Sequence, residues 1–290
     1  MTYFLLALSV VLSTGRNLLS KDLSHVRFKT KPFFSYQSIL FLFGAIAILS
    51  FGNVSFVSVA SATLLYSLIY GSLLILAQWF YTAALSKGNT AACSTVYSLG
   101  FIFPTLSGAM IWNEAFSFVD LLGVLSAVAA VVLSGLKVKK NESNAKAYYF
   151  IPLVIAMLAS GGLGIVQKVQ QKSDYADQRP IFLLIAFLLA AGISLLFALM
   201  TKSTETDTDI LRARKLTVAA LVGAFFGCCN LLNTLLAGLL DSAIFFPTLN
   251  IGVILLSTVS AAMIFKEKLS KKEILVLVLG GISILLLNFG

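Results

Sequence analysis

Long apolar runs separated by short polar connectors fill this chain. No Asp, Glu, Lys or Arg occurs in 32–86, 88–113, 121–136, 180–201, 216–240, 242–265 or 274–290. Roughly 20 mainly apolar residues in a helix cross the ~30 Å hydrocarbon core of a bilayer, and several runs reach that length. They show neither the polar face of a surface helix nor the alternation of period two found in a membrane barrel. The pattern therefore predicts an all-α membrane protein of ten transmembrane helices, near 2–21, 33–51, 62–85, 90–112, 117–136, 149–168, 180–200, 215–236, 242–265 and 272–289.

Composition agrees with lipid as the main solvent. The 290 residues are 59% hydrophobic and only 11% charged, against about 25% charged in a soluble domain. A net charge of +9 could suggest a nucleic-acid partner, but the basic residues sit in connectors, where they orient a membrane protein. Seventeen Lys and Arg fall in connectors 1–2, 3–4, 5–6, 7–8 and 9–10; the opposite side holds Lys168, Lys172 and Arg179, and Arg16 lies within a span. The positive-inside rule makes the richer side cytoplasmic and puts both termini outside the cytoplasm. A multi-pass protein of the cell membrane is expected, with no nucleic-acid partner. The first span lacks the basic start and small-residue cleavage site of a signal peptide. Cys93, Cys228 and Cys229 lie in apolar runs without metal-ligand spacing. No metal or cofactor is implied.

The polar connector KVKKNESNAKA, 137–147, divides the chain almost in half. This predicts an N-terminal five-helix unit (1–136), a cytoplasmic linker (137–148) and a C-terminal five-helix unit (149–290). Three internal matches support duplication. Ala109–Ser117 (AMIWNEAFS) parallels Ala262–Ser270 (AMIFKEKLS); Ser13, Gly15 and Lys21 parallel Ser160, Gly162 and Lys168; Gln78–Thr82 parallels Asn230–Thr234. Two serial units with an odd number of helices enter the membrane from opposite sides. The expected arrangement is two inverted five-helix repeats related by an axis in the membrane plane, a frame for alternating access.

Paired Glu junctions at Glu114 and Glu267, the upstream Pro104 and Pro247, the helix number and the midpoint connector resemble the drug/metabolite transporter superfamily in its ten-helix EamA-type form. The resemblance spans the whole chain. It implies a central cavity lined by helices 1, 3, 4, 6, 8 and 9. Two features depart from the family's pattern. Many members look as though their termini are cytoplasmic, and the related small multidrug transporters carry a membrane-embedded Glu in their first helix, where this chain has Arg16 and no acid.

Arg16 is the sharpest candidate for substrate binding. An ionisable side chain in a span usually faces a cavity, and a guanidinium suits a carboxylate or phosphate; alternatively it snorkels to headgroups. Gln78 and Tyr81 share a helix face, and Asn230 and Asn233 repeat it on the eighth span. Such groups either line a solute cavity or bond neighbouring helices. Trp79, Tyr97 and Asn250 complete the binding candidates; Tyr66 and Tyr70 could equally be interfacial aromatics. Pro104, Pro247 and Gly162 are candidates for gating or helix kinks: each proline removes a backbone donor, and Gly162 permits close approach or unwinding. Glu114 and Glu267 are expected to accept backbone N–H groups at the start of the following helix, near Ser117 and Ser270. His25 lies in a connector, and no midplane Asp or Glu is present, which disfavours carboxylate-based proton antiport.

These features predict a secondary transporter, not an enzyme. It would move a small polar or zwitterionic, amino-acid-like metabolite, or a drug-like solute, by alternating access in the direction of export. Its partners would be that solute and the bilayer, and it would work as a monomer. The alternative is a lipid-handling protein or a non-transporting partner subunit.

Overall fold

A computed structural model describes residues 1–20, 31–56, 58–85, 90–135, 150–201, 213–265 and 270–289. These form an all-helical bundle. The helices are α1 (Thr2–Ser20), α2 (Lys31–Phe51), α3 (Ser61–Leu85), α4 (Thr90–Ser98), α5 (Ile102–Trp112), α6 (Phe118–Gly135), α7 (Phe150–Lys172), α8 (Arg179–Met200), α9 (Ala213–Leu239), α10 (Ser242–Phe265) and α11 (Lys271–Phe289). Among the described residues, nine stretches are long and apolar enough to cross a membrane; Phe118–Ser134 is a shorter apolar helix. Large hydrophobic side chains such as Leu65, Ile151, Leu199 and Met263 remain exposed. That is costly in water and ordinary against lipid.

Two boundaries differ from expectation in ways that matter. The fourth span is not one regular helix: a 3₁₀ turn, Leu99–Phe101, joins α4 to α5. Pro104 has no N–H for the Gly100 carbonyl, so the ladder is interrupted where the helix tightens. Pro247, by contrast, lies within a continuous α10. The sixth span continues through Lys172, so Lys168 belongs to a helix body. α7 also runs unbroken through Gly161, Gly162 and Gly164. Unwinding at Gly162 is thus not seen. A Cβ there would meet Leu73 of α3 at 3.1 Å, which leaves close packing as the role of this glycine.

The halves interleave. α2 packs against α8 and α9, α1 against α9 and α10, and α3 against α7 and α8, while α6 and α11 lie together. One core gathers Phe41, Ile48, Tyr70, Phe182 and Phe187 from α2, α3 and α8. A second gathers Phe101, Ala127, Leu236, Phe245 and Ile251 from the other side of the bundle. The α2–α9 crossing is backbone against backbone: a Cβ on Gly227 would lie 2.3 Å from the Gly44 carbonyl oxygen, and one on Gly223 the same distance from that of Leu40.

Candidate functional site

Polar side chains of α1, α3, α7 and α9 meet inside this bundle. Arg16 of α1 places its guanidinium carbon 4.5 Å from the centroid of the Phe226 ring on α9, a cation–π distance. Its Nη2 donates to Asn17 Oδ1 at 3.4 Å. No carboxylate of the described residues pairs with it. Arg16 is half-buried. Tyr81 and Tyr97 are adjacent, with ring centroids 4.5 Å apart.

Toward the ends of α7 and α9, the polar groups satisfy one another. Ser13 Oγ donates to Cys229 Sγ at 3.5 Å. Tyr70 donates its hydroxyl to Asn230 Oδ1, and Gln167 Nε2 donates to that hydroxyl at 2.8 Å. Asn230 Nδ2 donates to the Phe226 carbonyl, and Ser9 donates to Asn233 Oδ1. Asn230 is 5% exposed and Tyr70 1%. The amide of Asn230, expected to bind solute, is thus taken up by its own helix and by α3 and α7, and Tyr70 is an interior hub, not an interfacial aromatic.

The last contact in this direction is ionic. Lys168 has no exposed surface, and its Nζ lies 2.5 Å from Glu114 Oε1 and donates to the Leu240 carbonyl at 2.8 Å. Glu114 Oε2 accepts the Ser242 backbone N–H at 2.7 Å. Burial raises the Glu114 pKa, but hydrogen bonds from Lys168 and Ser242 and the Lys168 charge outweigh it, so the carboxyl lies below its usual value. Glu114 does cap a helix start, but that of α10 in the other half. The start of α6 is capped by a reciprocal pair, Ser117 N to Asp120 Oδ2 and Asp120 N to Ser117 Oγ. Ser270 and Glu273 do the same for α11. Glu267 and His25 lie outside the described residues.

Gln78 and Trp79 face a different hollow. With Phe34, Gln37, Phe41 and Ser194 they line a shallow cleft between α2, α3 and α8, with room for about one water-sized group. Gln37 is 7% exposed and its Oε1 has no hydrogen-bond partner. Phe41 belongs to this cleft and also packs on Phe226, ring centroids 6.2 Å apart, so the cleft and the Arg16 site share a wall. Asn250 bonds to the Phe246 carbonyl of its own helix and stands apart from both.

Four residues of the site go beyond the sequence expectations. In sequence Lys168 reads as the end of a span, Gln167 carries no signal of its own, and the glycines Gly223 and Gly227 form a readable small-residue spacing on α9 that marks a close crossing.

No family model matches the chain. It is 26% identical over 181 residues, 60% of its length, to an uncharacterized protein of Haemophilus influenzae, and spans 57% of that relative. A protein of known crystal structure shares its fold with a TM-score of 0.80 over 99% of this chain and 96% of the other, at 15% identity.

Proposed function

We propose that the protein is a secondary transporter of the drug/metabolite type. Its ten passes form two inverted repeats, 1–136 and 149–290, that alternate access to a site at Arg16. The observation that carries this reading is the Arg16 guanidinium: half-buried in the last turns of a membrane-spanning helix, stacked on Phe226, and without an acidic partner among the described residues. A cation within a membrane span is costly unless hydrated or paired. A ligand that brings its own carboxylate or other anionic group would supply the partner. The substrate is then a small polar or zwitterionic metabolite, exported from the cytoplasm, with both termini outside.

Reciprocal packing supports the inverted halves. The α1–α9 contact has its exchange counterpart in α3–α7, α2–α9 in α3–α8, and α1–α10 in α5–α7. The bonded polar groups between Arg16 and Lys168 support closure on the side of Glu114 in this conformation.

Uptake by purified protein in liposomes, across amino acids, amines and sugars with and without a pH gradient, tests the proposal. Transport of a zwitterionic or anionic solute that Arg16→Ala lowers by about tenfold or more, with the protein still folded, supports it. Unchanged transport by that variant overturns the role of Arg16, and no transport of any solute overturns the function.

A further inference from the structure

We infer that the ion pair between Glu114 and Lys168 is the gate on the side opposite the basic connectors, made in this conformation and parted when that side opens. The inference rests on the transport reading and names the device that would regulate it.

The pair joins pieces that no helix requires to be joined. Glu114 belongs to the α5–α6 connector of the first half; Lys168 lies in α7, and Leu240 and Ser242 form the α9–α10 turn of the second. One carboxylate and one ammonium therefore hold three separate segments together through contacts of 2.5, 2.8 and 2.7 Å. Local structure does not depend on them. Asn113, in the left-handed region at φ 51°, already ends α5, and α6 has its own cap. Space is kept for the carboxylate at Gly108, where a Cβ would fall 2.3 Å from Glu114 Oε2 and 2.5 Å from Ser242 Cβ.

Stability alone is a poor reason to keep such a contact. Removing two charges from water costs nearly as much as their attraction returns, and apolar replacements often do as well; the best-attested use of buried pairs is in register and switching. When the α9–α10 turn moves away from α7, a dry ion pair becomes two hydrated charges, an exchange close to balance. A gate needs states that close in free energy. Lys172 and Asp241 are the charged groups near Lys168, and both remain to hydrate the opened mouth. The bonds beneath the pair, Gln167–Tyr70–Asn230 and Ser9–Asn233, link separate helices too, so they can part along the same line. Gln167 neighbours Lys168 on α7, which ties their movements together.

Cys229 supplies the probe. It stands beside Ser13 and is 2% exposed. With Cys93→Ala and Cys228→Ala it becomes the sole thiol. Its labelling by a membrane-impermeant maleimide, added to oriented vesicles from the side of Glu114, is compared for the parent, Glu114→Gln, Lys168→Met and the exchanged pair Glu114→Lys/Lys168→Glu. Melting temperature is followed in parallel, and Ser117→Ala serves as a control that loosens only a cap. The gate requires Glu114→Gln to speed labelling at least tenfold from this side only, and the exchanged pair to slow it again. Parental labelling in Glu114→Gln, or faster labelling from both sides together, overturns the gate. Glu114→Gln keeps the side-chain shape, so the test stands even if Lys168→Met does not fold. A protein that moves no solute yet shows the one-sided change keeps the gate and loses the transport reading; transport without that change does the reverse.

Discussion

Tyr70 of α3 and Asn230 of α9 are 160 residues apart, and the phenol of the first donates to Oδ1 of the second at 2.5 Å in the interior of the bundle. The same Oδ1 lies 3.4 Å from Gln167 Nε2, so three helices meet on one acceptor. Tyr70→Phe removes the strongest donor and leaves the ring in place. It is expected to lower stability by about 1–3 kcal/mol, the usual effect of leaving a buried acceptor poorly satisfied. Thermal unfolding in detergent measures this; an unchanged melting temperature would show that the network does not hold the helices.

Arg16→Ala is expected to reduce solute transport by roughly 10- to 100-fold, the worth of a hydrogen bond to a charged group, with little change in stability. Arg16→Lys keeps the charge but gives up the planar fork and the stack on Phe226. It should recover only part of the rate. Full recovery would mean that charge alone suffices.

Gly227→Ala places a methyl group 2.3 Å from the Gly44 carbonyl oxygen and 3.1 Å from its Cα. Backbone cannot yield as a side chain can, so α2 and α9 must separate. Overpacking of this kind costs about 1–3 kcal/mol or more. Gly281→Ala, where nothing lies within 4 Å of the new carbon, is the control. A melting temperature that falls equally in both variants would refute the close crossing.

Acid should loosen the Glu114 contact. The folded pKa of this carboxyl is depressed below 4.5, so its stabilising contribution is complete above that value. It is lost as pH falls through the depressed pKa. The melting temperature is expected to drop below pH 4.5, and by less in Glu114→Gln, which has no proton to gain. Identical acid profiles for the two proteins would show that Glu114 is not the group responsible.

A cysteine in a tail added after Gly290 should react with an impermeant reagent applied outside intact cells. The expectation follows from the excess of Lys and Arg in the connectors on the opposite side. Reaction only after the membrane is broken would reverse the orientation.

The apolar runs by themselves determined the helices. A charge-free stretch such as 242–265 has one way to satisfy its backbone in lipid, and α10 spans those residues. The small-residue spacing of Gly223 and Gly227 was also open to reading along one strand of sequence. Tertiary structure alone decided the partners of the polar groups. Asn230 and Gln78 occupy matching positions in the internal repeat, yet one is enclosed by Tyr70 and Gln167 and the other lines a cleft with Gln37. In sequence Lys168 reads as the end of a span and Glu114 as the cap of the helix that follows it; folding joins them across the two halves. Periodicity and hydropathy report how each segment meets its solvent, a local matter of backbone bonding and transfer. The partner of a buried amide or ammonium depends on which distant segment arrives beside it, and only the packed bundle settles that.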